Sequence, residues 1–230
     1  MPSDFASQSN SSQRVIASAA YPENRRGGVD PKRAFDLLLA MLLLPLVLPI
    51  IIVLWAMIRV SAGRHGTGFF SHARVGRRGV MFDCLKLRTM VPEADLGLPA
   101  ILAHDPAARA EWERDVKLRN DPRVTRLGRV LRKTSLDELP QIFNVLAGDM
   151  SFVGPRPVPK DELERYGRAK YAYLSVRPGI TGAWQVSGRN DVDYNARIAM
   201  DVEYARRRSF ARDLGILART PRVLLRRSGF

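Results

Sequence analysis

Hydrophobic and polar positions are spread unevenly along this chain, and the unevenness divides it into parts. Residues 1–28 are rich in Ser, Asn, Gln and Gly without a sustained apolar run, which predicts a flexible tail. The apolar h-region of a signal peptide is missing there. Between Ala34 and Ile58 the pattern reverses, with Asp36 as the single charge. From Leu37 to Ile58 there are 22 apolar residues, which as a helix reach about 33 Å, enough to cross the core of a bilayer. Asp36 is expected to pair with a nearby arginine or to lie at headgroup depth. Pro45 and Pro49 fall near the middle, where each removes a backbone donor and crowds the preceding turn.

The flanks of this segment carry the same sign. Arg25, Arg26, Lys32 and Arg33 precede it, and Arg59, Arg64, Arg74, Arg77 and Arg78 follow it. Cationic flanks favour the cytoplasmic side, and a straight span satisfies only one of them. A helix that enters, breaks at Pro45 or Pro49 and returns satisfies both. Residues 29–62 are therefore expected to form a re-entrant membrane hairpin, helix–break–helix, and residues 63–230 a cytoplasmic domain.

Beyond the hairpin, "GTGFFSHARVGRRGVMFDCLKLRTM" holds short apolar runs bounded by glycines and reads as strands or extended loops. Helices are expected over residues 92–118, 137–147, 160–174 and 191–208, the last opening on acidic residues that suit a helix N-terminus. In "FARDLGILARTPRVLLRR", Phe210, Leu214, Leu217 and Leu224 share a helical face, with Arg212, Arg219, Arg222, Arg226 and Arg227 over the rest. Thr220-Pro221 fits an N-cap and first helical position, which predicts two short helices. Such a face suits an anionic membrane surface, or a solvated face over a core. The fold class is α+β, mostly α-helical, with amphipathic interfacial helices and a small β element.

Charge narrows the partners. With 37 Lys and Arg against 23 Asp and Glu, the formal charge of +14 points to an anionic partner: nucleic acid, acidic lipid or a phosphorylated substrate. No aromatic run alternates with cations as a base-stacking platform requires, and the apolar segment fits nucleic-acid binding poorly. The one cysteine, Cys84, excludes an internal disulfide and reads as a small buried side chain. His65, His72 and His104 are too scattered for a zinc site.

Within so basic a chain, the adjacent carboxylates of "SLDELPQIFNVLAGDMSFVGPRP" need an account. Ser135 and Glu138 have the spacing of a capping box. Pro140 sits awkwardly in that register, and a helix starting slightly later leaves Asp137 and Glu138 at its positive end. Arg126, Arg129, Arg132 and Lys133 lie upstream, Arg156 is fixed between Pro155 and Pro157, and Lys86 and Arg88 come from "KLRTM". Paired acids among cations suit phosphate chemistry: the acids hold Mg²⁺ or supply a nucleophile while arginines neutralise phosphate oxygens.

"KLRTM", "LRKTSLDELPQIFNVLAGDMSFVGPRP" and "RPGITGAWQVSGR", in this order after an apolar hairpin, resemble the bacterial sugar transferases, the monotopic polyprenyl-phosphate phosphoglycosyl transferases. The resemblance runs from about Lys32 to the C-terminus. "FFSHARVG" and "LKLRTM" look closest to exopolysaccharide-initiating members that transfer galactose-1-phosphate or glucose-1-phosphate. His72, where many members carry Gln, and Leu87, where Phe is usual, depart from the pattern and bear on sugar choice. By this resemblance Asp137 is the nucleophile and Glu138 its partner on Mg²⁺, with UMP released and a phosphoglycosyl-aspartate formed. Lys86, Arg88 and Arg156 match phosphate-binding positions. Pro45 and Pro49 are the candidates for the hairpin break.

In "RPGITGAWQVSGR" the segment is either a structural loop or a contact to nucleotide or sugar, with Gln185 and Arg189 as the polar candidates. Implied partners are a UDP-sugar, undecaprenyl phosphate and inner-membrane lipids, with no nucleic acid and a homodimer as a candidate assembly. The implied location is the cytoplasmic face of the bacterial inner membrane. A basic peripheral membrane adaptor is the non-catalytic alternative.

Overall fold

The computed structural model describes residues 30–62, 67–92, 94–115, 118, 120–188 and 192–225. The expected tail and Arg189 lie outside them. The apolar run forms one helix, α1 (Pro31–Ala62), long and apolar enough to cross a membrane. One stripe of it is buried: Asp36, Ala40, Ile51 and Ile58, with Leu43, Val47 and Leu54 packed alongside. These positions recur every three or four residues, so they share a face. The other faces are just as apolar but bare, with Leu42 75% and Val60 86% exposed.

A break is expected at the two prolines, yet α1 continues through both. The amide that Pro49 lacks would have met the carbonyl of Pro45, and that of Pro45 the carbonyl of Met41. The missing rungs thus stack on one face, opposite the buried stripe, and the ladder on the domain side stays whole.

An antiparallel hairpin follows, β1 (Phe69–Val75) with β2 (Met81–Leu87). Its register pairs Phe70 with Lys86, His72 with Cys84 and Arg74 with Phe82, so these six side chains share one face. The single helix expected over residues 92–118 is two, α2 (Ala94–His104) and α3 (Pro106–Asp115). Asp105 ends the first and caps the second, its Oδ1 accepting from the amides of Ala107 and Ala108 at 2.9 and 3.0 Å.

Helix α4 (Arg126–Thr134) was not legible beforehand; Thr125 caps it, accepting from the Gly128 amide at 2.9 Å. A Cβ on Gly128 would lie 2.0 Å from the Thr89 carbonyl oxygen, so glycine alone lets α4 close on the segment after β2. Next come α5 (Gln141–Ala147) and β3 (Ser151–Val153), which pairs in parallel with β4 (Gly179–Thr181). The helix expected over residues 160–174 is divided into α6 (Lys160–Glu164) and α7 (Lys170–Leu174), with Gly167 at φ +50° between them. Then follow α8 (Ala183–Ser187), α9 (Tyr194–Arg207) and α10 (Phe210–Leu225).

Two short helices are expected at the C-terminal end, but α10 runs through Pro221. Thr220 does not cap there: its hydroxyl donates to the Ile216 carbonyl at 2.9 Å and also meets the Thr181 hydroxyl at 2.9 Å. The apolar face of α10 is divided. Ile216 and Leu217 pack into the core, while Phe210 and Leu214 remain exposed.

One hydrophobic core joins α1, β2, α5, β3 and α10 through Ala40, Ile58, Leu87, Val145, Phe152 and Ile216. Polar bonds fasten the start of α1 to it. Lys32 pairs with Asp213 at 2.6 Å, and the Tyr204 hydroxyl bridges Asp213 and the Val153 carbonyl at 2.7 and 3.0 Å. Arg33 donates to the carbonyls of Val145 and Leu146 at the end of α5. Among the described residues Asp36 pairs with no arginine; it is buried, accepting from the Ser151 hydroxyl and the Phe152 amide at 3.0 and 3.1 Å. Asn144 joins α5 to β2 as a strand neighbour would. Its amide donates to the Asp83 carbonyl at 2.8 Å, and its Oδ1 accepts from the Leu85 amide at 2.9 Å.

Candidate active site

The acidic pair sits in a single 3₁₀ turn, Leu136–Glu138, between α4 and α5. Ser135 creates that turn. It adopts the left-handed conformation at φ +58°, stops α4, and forms no side-chain cap, so the capping-box account of Ser135 and Glu138 does not hold. Pro140 then caps α5 and Gln141 begins it, which leaves both carboxylates just ahead of a helix N-terminus.

The two acids have different surroundings. Glu138 is partly open and bound to Lys86, Nζ to Oε1 at 2.7 Å. Asp137 is buried, 7% exposed. Burial raises its pKa to about 6; Lys86 opposes that rise, the neighbouring Glu138 adds to it, and Arg132 opposes it. Arg132 is itself held by its Nε, which donates to the Thr89 hydroxyl at 2.9 Å. Lys86 and Arg132 therefore favour the ionised form of an aspartate that burial disfavours.

A cleft opens beside this turn. Its wall takes Arg74, Cys84 and Lys86 from the hairpin, Glu138 from the turn, and Gln141 from the first turn of α5. Arg156 and Pro157 from the loop after β3, Gly179 and Ile180 from β4, and Gln185 from α8 complete it. Four candidates that lie far apart in sequence thus meet here: Lys86, Glu138, Arg156 and Gln185. Gln185 presents a buried Oε1 without a hydrogen-bond partner among the described residues, an acceptor suited to a donor on a bound molecule. Arg88 is not part of the wall. Its guanidinium lies 5.8 Å from the Phe70 ring centroid. Burial pushes the Cys84 thiol up, so it is a neutral wall residue rather than a nucleophile.

Arg74 and Gln141 were not singled out from the sequence. The hairpin register would have found Arg74, because alternation puts it on the face of Lys86. Gln141 follows Asp137 by four residues, one turn along the chain.

The donor set fits Mg²⁺. Asp137 and Glu138 are adjacent hard oxygen donors, and Mg²⁺ is commonly held by one or two carboxylates plus substrate phosphates. Among the described residues no group of three or more His, Cys, Asp or Glu could hold a metal.

Comparison with known proteins bears on the family of the chain. The sequence model of the family described as "Bacterial sugar transferase" matches residues 29–227. The chain is 51% identical over 198 residues to the undecaprenyl-phosphate galactose phosphotransferase of Salmonella typhimurium, covering 86% of this chain and 41% of that protein. It is 45% identical over 226 residues to the exopolysaccharide production protein ExoY of Rhizobium meliloti, covering 96% of this chain and 99% of that one. With the UDP-glucose:undecaprenyl-phosphate glucose-1-phosphate transferase of Caulobacter vibrioides the identity is 38% over 202 residues, 84% of this chain and 69% of that protein. The match thus spans 41% of the length of the Salmonella relative, but nearly all of ExoY.

Proposed function

The chain belongs to the bacterial sugar transferase family, and on that premise we propose that it transfers hexose-1-phosphate from UDP-galactose or UDP-glucose to undecaprenyl phosphate. UMP is the other product, and the step initiates an exopolysaccharide at the membrane. The observation that carries this reading is the buried Asp137 beside a Lys86-bound Glu138, at the edge of a cleft that also holds Arg74 and Arg156. A basic membrane adaptor accounts for the charge and the apolar helix, but gives no reason to bury a carboxylate there.

The reaction proceeds in two displacements. A carboxylate oxygen of ionised Asp137 attacks the sugar-bearing phosphorus; that P–O bond forms as the bond to the bridging oxygen breaks, and UMP leaves with the electron pair. An oxygen of undecaprenyl phosphate then attacks the same phosphorus, and Asp137 departs as a carboxylate. Lys86 and Arg156 offset the phosphate charge, which otherwise repels an anionic nucleophile. Mg²⁺ held by Asp137 and Glu138 would supply further positive charge at the phosphate oxygens. Gln185 offers an acceptor to a nucleotide or sugar donor.

The re-entrant arrangement of α1 belongs to the same proposal. Ala40, before the prolines, and Ile58, after them, sink into the same core, so both halves touch one domain. Pro45 and Pro49 lie opposite that contact, where opening a helix bends it toward the domain. Bare apolar faces of α1 then enter one leaflet of the inner membrane while the cleft stays at the cytoplasmic surface, within reach of a lipid phosphate.

Detergent-purified protein supplied with UDP-galactose or UDP-glucose, Mg²⁺ and undecaprenyl phosphate is expected to release UMP. Asp137→Asn should lower that release by roughly 10⁴-fold or more with the fold intact. Full activity in that variant would remove Asp137 as nucleophile, and absence of UMP with every UDP-sugar would remove the enzyme class.

A further inference from the structure

Arg74 and Arg156 come from distant parts of the chain, yet the fold holds their backbones side by side. The Val75 amide donates to the Val158 carbonyl at 3.0 Å. The buried Tyr173 hydroxyl closes the same junction, donating to the Val75 carbonyl at 2.7 Å while accepting from the Val158 amide at 3.2 Å. A second pair of bonds steadies the loop from its other side: Gly154 donates to the Thr181 carbonyl at 3.0 Å, and Gly179 to the Pro155 carbonyl at 2.8 Å. One residue before Val75 is Arg74, and two before Val158 is Arg156, so the junction brings both into the cleft wall.

This costs energy. Burial and the Arg156 charge both lower the Arg74 pKa, which means the two cations repel each other across a partly dehydrated gap. Among the described residues neither forms an ion pair with a carboxylate, whereas Lys86 is already matched by Glu138. Arg74 is aimed as well: its Nη2 donates to His72 Nδ1 at 3.1 Å, the arginine being the only partner of the two that always carries the proton. Two guanidiniums on one braced wall, offset by Glu162 and Asp201 only from beyond ion-pair distance, are complementary to two linked phosphates.

We infer that Arg74 is a substrate-binding residue which, with Arg156, forms a clamp for the diphosphate of the nucleotide-sugar donor, and that Tyr173 is the positioning residue that sets their spacing. The inference rests on the UDP-sugar reading above and deepens it: the clamp grips the group on which the first displacement occurs.

The test compares UDP, UMP and inorganic pyrophosphate as ligands of the whole protein in detergent with Mg²⁺, by calorimetry. Wild type should bind UDP more tightly than UMP. In Arg74→Gln, UDP affinity should fall by about 10- to 100-fold while UMP affinity changes less, so that the UDP-to-UMP ratio collapses. Arg74→Lys keeps the charge without the fork and should fall between; it carries the test alone if Arg74→Gln does not fold. Tyr173→Phe should narrow the same ratio, a change that general loss of stability does not produce. An unchanged ratio in folded Arg74→Gln or Arg74→Lys would overturn the clamp. Wild type that binds pyrophosphate but not UDP would keep the clamp and overturn the UDP-sugar reading; wild type that binds neither would overturn both.

Discussion

Asp137 has to be ionised to attack phosphorus, yet its burial favours the protonated acid up to about pH 6. The rate of UMP release should therefore fall about tenfold per pH unit below that value and level off above it. Mg²⁺ favours the carboxylate, so raising its concentration should move the inflection to lower pH. Stopped-flow release of UMP between pH 5 and 8, at two Mg²⁺ concentrations, reads both effects, and a flat profile would contradict them. Stability carries the opposite sign. A carboxyl whose folded pKa lies above its unfolded value of 3.8 holds no penalty below that value and loses stability as pH rises toward 6. Asp137→Asn should accordingly melt higher than wild type at pH 7.5, although it turns over least. Trading stability for a poised acid is a recurrent cost of catalytic sites.

The elements were legible to different degrees, for physical reasons. The apolar run of α1 and the acidic opening of α9 are local signals, and each element appeared where its pattern points. The 3₁₀ turn that carries Asp137 was harder, because Ser135 adopts a left-handed backbone that no serine advertises. Pairing of β3 with β4 was invisible, since each strand has three residues and the partners come together only through long-range contacts. The cleft candidates were found one at a time by charge and motif, but their meeting depends on junctions such as that made by Asn144. Asn144→Ala should leave the Asp83 carbonyl and Leu85 amide without their bonds, at a cost of about 2–4 kcal/mol. Asn144→Asp keeps an acceptor for Leu85 but turns a buried carboxylate toward the Asp83 carbonyl and the Asp149 carboxylate, both of which now accept from the Asn144 amide, and should lose at least as much. Chemical denaturation in detergent measures both, and equal stability of Asn144→Ala and wild type would show that β2 is held by packing alone.

At the scale of the whole molecule, the bare faces of α1 and the common core beneath its two halves make a sidedness prediction. Single cysteines at Asp30, just before α1, and at Ser61, in its last turn, mark its two ends, and the native Cys84 is buried. Both introduced thiols should react with a membrane-impermeant maleimide from the cytoplasmic side of sealed vesicles and neither from the other. Labelling from opposite sides would establish a span instead, and would separate Ala40 from the core that buries it.

The fastening of α1 also has a consequence in time. Ser151, whose hydroxyl donates to the buried Asp36, lies 115 residues further along the chain, and Asp213, the partner of Lys32, lies 181 residues beyond that lysine. At ribosomal speeds the second interval lasts about 10–40 s. Through that interval the nascent greasy segment holds its post with this anchor unmade, and the arrival of α10 locks α1 in place.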